Sequence, residues 1–322
     1  MITLKQKFYE KITVLHYSKK TYHSYWCWVN KYLRYHNCQH ATTLNETHIE
    51  EFLTHLAVED KVSSSTQNLA LQSILFLYKQ VYQHPIANTI NAVRAKKRIR
   101  KPIVLSESEV KIILNKLQNT NKLIIQLLYG SGLRITECLN LRIQNIDFDN
   151  QCIRIYDSKS KKDRITLLPN SIEDDLKGHI QRVKSLHNKD IQYGRGYVQL
   201  PHAFHKKSKS ASKDFLWQFL FPSRKISPCN DVEHKGRWHK QVDSVSKEVK
   251  KVSTQCNIYK RITCHTFRHS FATHLLQRGS HIKMVQEVLG HSRIETTMGY
   301  LHLFDSELKK AVSPLDVLTR LS

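Results

Sequence analysis

The chain of 322 residues has no Cys-x-x-Cys pair, and its seven cysteines are odd in number and scattered. That pattern excludes a regular disulfide framework and fits a reducing compartment. No apolar run approaches the length needed to cross a membrane, so no membrane partner is expected. The opening stretch "MITLKQKFYEKITVL" lacks both a long apolar core and a small-residue cleavage site, which points to a cytoplasmic, nucleoid-associated protein rather than an exported one. Carboxylates are scarce: 27 Asp and Glu stand against 51 Lys and Arg, a formal net charge of +24. Solubility needs far less, so the excess points to a polyanion, with nucleic acid the first candidate. There is no internal repeat, which sets aside solenoids.

What is present suits two domains, since one compact core rarely spans so long a chain. Residues 1–92 read as a helical domain. Ile49, Phe52, Leu53 and Leu56 recur at helical spacing, as do Leu71, Ile74, Leu75 and Tyr78, and the aromatic-rich "TYHSYWCWVNKYLRY" precedes them with Trp26 and Trp28 as core candidates. Residues 93–103, which contain "VRAKKRIRKP", read as a basic linker whose Lys97, Arg98, Arg100 and Lys101 are placed to neutralise phosphates. Ser106 with Glu109 forms the S-x-x-E pattern that opens a helix. Residues 104–322 then read as a second domain, mainly α with a small antiparallel sheet. "CIRIYDS" and "RITLLP" flank the polar "KSKKD" as a hairpin with a lysine-rich tip.

The chemistry concentrates in "HTFRHSFATHLLQRGSHIKMVQEVLGHSRIETTMGYLHL", residues 265 to 303. Phe267, Phe271 and Leu275 share one helical face, while His265, Arg268 and Ala272 share another. Gly279 and Gly290 read as helix ends, Ser280 as the cap of the next helix, and Ser292 with Glu295 as a capping box that puts His291 at a helix N-terminus. Tyr300 is then expected about two turns into the last helix, with Gly299 before it weakening that helix by up to about 1 kcal/mol. Ionising a tyrosine at neutral pH costs roughly 4 kcal/mol, so a nucleophilic phenol needs proton acceptors and a charge clamp. Histidines can take its proton and arginine forks can hold the non-bridging oxygens of a phosphodiester. No acidic cluster that could hold a pair of metal ions accompanies them. His265 with His269 could form a metal pair, but no third ligand is evident.

Taken together, these residues resemble the tyrosine recombinases of the phage integrase superfamily. "YGSGLRITECLNL" offers Arg134 and Glu137, the hairpin tip "YDSKSKKDR" offers Lys159, and the last stretch offers His265, Arg268, His291 and Tyr300. The resemblance implies that residues 1–92 form a core-binding DNA domain and residues 104–322 the catalytic domain. It implies that Arg134 and Arg268 clamp the scissile phosphate while Tyr300 forms a 3′-phosphotyrosine bond. Lys159 would protonate the leaving 5′ oxygen, His265 would accept a proton, His291 would bond a phosphate oxygen, and Glu137 would orient the first arginine or its helix. The tip reads S-K-S-K-K, which leaves Lys161 and Lys162 open as alternatives to Lys159. No metal, ATP or other cofactor is implied.

A narrower resemblance, to the integron integrases, lies in an added segment over about residues 190–223. Leu200, Pro201, Ala203, Trp217, Gln218, Phe221, Pro222 and Ser223 match its pattern, and "GRWHK" puts Trp238 and His239 where those enzymes carry a pair of histidines. This implies cassette integration and excision on folded single-stranded as well as duplex sites, with Trp217, Trp238 and His239 as base contacts. It also implies a homotetramer on two DNA sites, joined through the C-terminal tail. The competing readings are a Xer or phage-type recombinase acting on duplex sites, a DNA-binding protein without activity, and a metal-dependent nuclease.

Overall fold

The computed structural model describes residues 3–38, 40–84, 102–156, 163–200, 210–229 and 234–300. It divides into two compact units, Met1–Arg100 and Lys101–Ser322.

The first unit is helical: α1 (Leu4–Val14), α2 (Lys19–Tyr35), α3 (Glu46–Val58) and α4 (Ser64–Phe76), the last continued by a π-helical stretch over Leu77–Tyr82. Thr3, Ser18, Asn45 and Ser63 each accept a backbone N–H from the first turn of the helix they precede. Such caps satisfy donors that the helix itself leaves orphaned. Ile49, Phe52, Leu56 and Ile74 are buried together with Tyr32 and Tyr78, each apolar side chain contributing roughly 1.5–3 kcal/mol. The two buried phenols satisfy each other, 3.1 Å apart, and Tyr78 Oη donates on to the Ala41 carbonyl. Trp26 packs on Phe8 with ring centroids 5.6 Å apart, and Trp28 packs beside the cluster with Lys31 Nζ 4.7 Å above its ring. Both tryptophans are half-buried and pack against the core.

The second unit opens with α5 (Glu107–Lys116), where Ser106 and Glu109 close their capping box, then α6 (Asn119–Gly130) and α7 (Ile135–Asn140). β1 (Ile146–Asp147), β2 (Cys152–Ile155) and β3 (Arg164–Leu167) form an antiparallel sheet in sequence order, with Cys152 opposite Leu167 and Ile155 opposite Arg164. Period two puts Ile153 and Ile155 inside and Arg154 outside. α8 (Glu173–Gln192) runs through position 190, so the added segment begins in its last turn. Two short 3-10 turns lead into the hairpin β4 (Pro222–Pro228) and β5 (Lys235–His239). α9 (Val242–Gln255), α10 (Cys264–Gln277), α11 (Ile282–Leu289) and α12 (Ile294–Met298) follow. Leu127, Leu128, Leu139, Ile153, Leu176, Phe221, Val249 and Phe267 share one core, which fixes α6, α7, the sheet and α10 around a common centre. No helix among the described residues is long and apolar enough to cross a membrane.

Three local expectations at the end of the chain need correction. α11 is capped by His281, whose ring accepts from Lys283 N–H, and not by Ser280. α12 starts after Arg293, so Ser292 and Glu295 form no capping box. That short helix closes at Gly299, and Tyr300 stands just beyond it, its N–H bonded to the Thr297 carbonyl. A glycine that disfavours helix directly before the tyrosine accounts for the early stop.

Candidate active site

The two faces of α10 set out by the sequence do not divide into core and surface, because the helix is buried on almost every side: Phe267, Arg268, Phe271 and Ala272 are all interior. Burying a guanidinium needs partners in proportion to its donors. Arg268, 2% exposed, gives Nη1 to the Gly132 carbonyl and Nη2 to the Leu289 carbonyl, both at 2.6 Å, and lies 3.7 Å from Glu137 Oε2. The residues that hold it are shaped by backbone. Gly132 (φ +63°) and Gly290 (φ +63°) both occupy the left-handed region that glycine adopts without strain, turning the chain so that neighbouring carbonyls face inward. Burial first, then the charge of Arg134, brings the Arg268 guanidinium down to about 9, still cationic at neutral pH.

Glu137 is the centre of the cluster. Its Oε1 accepts from Arg134 Nη1 (2.6 Å) and Arg164 Nη1 (3.0 Å), and its Oε2 accepts from the Arg134 backbone N–H (2.8 Å) and Arg164 Nη2 (2.8 Å). Burial would raise this carboxyl, but the bonds and charge of Arg164, and then of Arg134, outweigh it and hold it at about 2. Arg134 is the least enclosed of the three arginines, its side chain 20% exposed. Among the described residues only Glu137 accepts from its guanidinium, so further donors remain for a ligand.

Tyr300 is 4% exposed and packs with Phe271, Val285 and Leu289. Its hydroxyl lies 2.9 Å from His269 Nδ1. Burial raises the phenol above its ordinary value while Arg268 and Arg134 pull against that rise. His269 is brought down to about 4, by burial and then by His265 and Arg268. His291 falls to about 3, through burial and then the charges of Arg268, Arg134 and Arg164. Both imidazoles are therefore neutral at pH 7 and, so depressed, weak bases in the unliganded protein. The His291 ring is stacked at 6.2 Å on the Tyr300 ring, with Nδ1 3.0 Å from Thr297 Oγ1. His265 sits in the first turn of α10, exposed, its ring 5.6 Å from that of His269.

The structure thus gathers Arg134, Glu137, Arg268, His291 and Tyr300, with His265 at the rim. Lys159 and its alternatives Lys161 and Lys162 lie outside the described residues, as do Lys97, Arg98, Arg100, Lys101 and the C-terminal tail. Two members of the cluster escaped the sequence reading. Arg164 carries no motif of its own, and its partner is 27 positions away. His269 was noticed only as half of a metal pair, yet it is the residue bonded to Tyr300; among the described residues no group of three His, Cys, Asp or Glu could hold an ion.

The three base-contact candidates sit apart from this cluster. Trp217 is half-buried against Val198, Leu200 and Phe219, with the Arg142 guanidinium 5.5 Å from its ring centre. Arg142 also donates to the Trp217 and Gln199 carbonyls, which fixes the added segment to the body of the unit. Trp238 is 38% exposed on β5, its ring 5.7 Å from Phe219 and 5.5 Å from His239.

Residues 104–307 match the phage integrase family, and residues 4–88 match the phage integrase N-terminal SAM-like domain. An integrase/recombinase of Escherichia coli is 38% identical over 317 residues, covering 97% of this chain and 93% of the relative. A tyrosine recombinase of Pseudothermotoga lettingae is 31% identical, covering 84% of this chain and 82% of the relative. Among solved structures, the integrase of transposon Tn1549 in complex with transposon right end DNA is similar at TM-score 0.62 and 17% identity, covering 99% of this chain and 98% of that one. XerH bound to a palindromic difH substrate is similar at TM-score 0.59 and 22% identity, covering 92% and 80%.

Proposed function

Since the chain belongs to the phage integrase family and is a tyrosine recombinase, a site-specific DNA recombinase, we propose that Tyr300 is the nucleophile that cuts and rejoins DNA strands. The single observation that carries this assignment is the buried Tyr300 hydroxyl, bonded to a neutral His269 beside the cationic Arg134 and Arg268.

In this reading a scissile phosphate enters between Arg134 and Arg268, whose remaining N–H donors bind its non-bridging oxygens. Tyr300 Oη attacks phosphorus, the bond from phosphorus to the 5′ oxygen breaks, and a 3′-phosphotyrosine forms. The phenolic proton leaves to a histidine. At rest the phenol keeps it, hydrogen-bonded to His269 Nδ1, and His265, one turn before His269 on α10, is the acceptor on the DNA side. His291 bonds a phosphate oxygen, and the hairpin lysine, Lys159 in our assignment, protonates the 5′ oxygen. Burial depresses both imidazoles most, and the Arg268 charge adds to it in each, so a bound phosphate's negative charge, by offsetting that arginine, makes them better bases. The phosphodiester's energy is kept in the protein link, and rejoining reverses the steps without ATP or metal.

For substrate, we propose cassette integration and excision of the integron type, on folded single-stranded as well as duplex sites. Supporting it are the added segment after α8 and the aromatic surface at Trp238 and His239, with Trp217 beneath it. A base already outside a stem avoids the few kcal/mol of flipping, and stacking on an aromatic contributes roughly 1–3 kcal/mol. The basic linker would track the backbone, and four subunits would assemble on two sites through the tail. A Xer-type enzyme confined to duplex sites is the alternative, supported by the likeness to XerH.

The test is incubation of the full chain with labelled bulged hairpin and nicked duplex sites, followed by denaturing electrophoresis. A covalent protein-DNA band is expected from the wild type, with or without EDTA, and none from Tyr300→Phe, which should still shift DNA in a native gel. A band from the mutant would remove Tyr300 from its role. Loss in EDTA, restored by magnesium, would favour a metal-dependent nuclease.

A further inference from the structure

A carboxylate offers about four lone-pair sites, and in Glu137 all four are taken, two by Arg134 and two by Arg164. Arg268 approaches to 3.7 Å without a hydrogen bond and spends its bonds on backbone carbonyls instead. The third arm of Arg164, Nε, donates to the Val288 carbonyl at 3.0 Å, in the last turn of α11 just before Gly290 and His291. The fit there is close. A Cβ added at Gly290 would come within 2.7 Å of Arg164 Cδ, so the bare backbone of that turn rests on the arginine stem. The Arg164 side chain is itself only 7% exposed, so most of its charge is met by these protein partners.

We infer that Arg164 is a positioning residue: by filling two acceptor sites of Glu137 it keeps that carboxylate from capturing Arg268. It also ties the His291 turn to the same frame. Without it, Glu137, already bonded to Arg134, would turn its vacated lone pairs to the next cation, Arg268, and draw that guanidinium off the phosphate seat. Arg164 touches no substrate atom and acts only through Glu137 and the turn at Val288. A lysine could not replace it, since one ammonium cannot present a fork to the carboxylate and a third donor to Val288 at once. The inference rests on the phosphate-clamp reading of Arg134 and Arg268.

The experiment compares wild type, Arg164→Gln and Arg164→Lys in single-turnover cleavage of a nicked duplex. It is run at least 15 °C below each variant's melting point, with DNA affinity measured separately. The cleavage rate at saturating DNA should fall about ten- to a hundredfold in both variants, the scale of a catalytic group misplaced by about 1 Å. DNA affinity should stay within about threefold. On a second substrate, with a methylphosphonate at the scissile position, one negative oxygen is gone and the guanidinium seat matters less. There the gap between variant and wild type should shrink at least fivefold. A rate within threefold of wild type, or equal losses on the two substrates, would overturn the inference. Full rescue by Arg164→Lys would do the same, because charge alone would then suffice. If Arg164→Gln does not fold, Arg164→Lys alone decides by the same criteria. Failure of the underlying reading looks different: the wild type itself would form no adduct.

Discussion

Replacing Glu137 by glutamine removes one charge and almost no volume, so it isolates what the carboxylate does for the fold. In the native protein this carboxyl is held at about 2 against an ordinary 4.5. At 1.36 kcal/mol per unit the difference corresponds to about 3 kcal/mol, a figure allowed by a side chain only 7% exposed. The sign follows from the direction of the shift. A depressed carboxyl stabilises the fold fully above about pH 4.5 and loses that contribution as the pH falls through about 2. Glu137→Gln imitates the protonated form and leaves Arg134, Arg164 and Arg268 facing one another, so at pH 7 it should lose about 3 kcal/mol. For a unit of roughly 200 residues that is a fall of about 6–12 °C in melting temperature. Calorimetry of both proteins from pH 7 to pH 2 is the assay. The two melting curves should converge in acid, because protonation makes the wild type resemble its mutant. A pH 7 difference under about 2 °C, or one that persists unchanged at pH 2, would refute the view that Glu137 works as the counter-charge of three arginines.

Three further outcomes are expected. Trp238→Ala should weaken binding to a bulged hairpin about tenfold, sparing both a bulge-free hairpin and the melting temperature. Trp217→Ala, by stripping the face on which Arg142 rests, should lower melting and weaken all DNAs alike, and a reversed pattern in three-DNA titrations at one salt concentration would exchange their roles. Deleting residues 313–322, whose Leu315, Leu318 and Leu321 are spaced as a short apolar face, should leave single-subunit gel shifts intact and reduce the higher-order complex; equal assembly would refute docking through the tail.

How much of this was legible in the sequence depends on distance along the chain. Arg134 with Glu137, and His265 with Arg268, are three positions apart, so a pattern held within one helical turn announced them. The helix caps at Ser106 and the hairpin of β2 and β3 were readable for the same reason. Arg164 and His269 were not, because their meaning lies in partners 27 and 31 positions away. The capping signals around Ser280 and Ser292 misled in another way: a serine can cap only where the backbone turns at it, and here the chain turns at His281 and Arg293. Trp217 and Trp238 look alike in sequence, and only packing against Arg142 separates them.

The burial of α10 on nearly every side has a consequence for assembly of the molecule. Arg268 reaches back 136 positions to the Gly132 carbonyl, so the guanidinium finds its place only after α6, β3 and α11 have closed around it. Contacts between such distant segments form late, since the loops they close are entropically unfavourable. A nascent or half-unfolded chain can therefore carry every residue of the cutting machinery and still lack the seat. Strand cleavage then depends on the finished fold, because the seat does not exist before these distant segments have met.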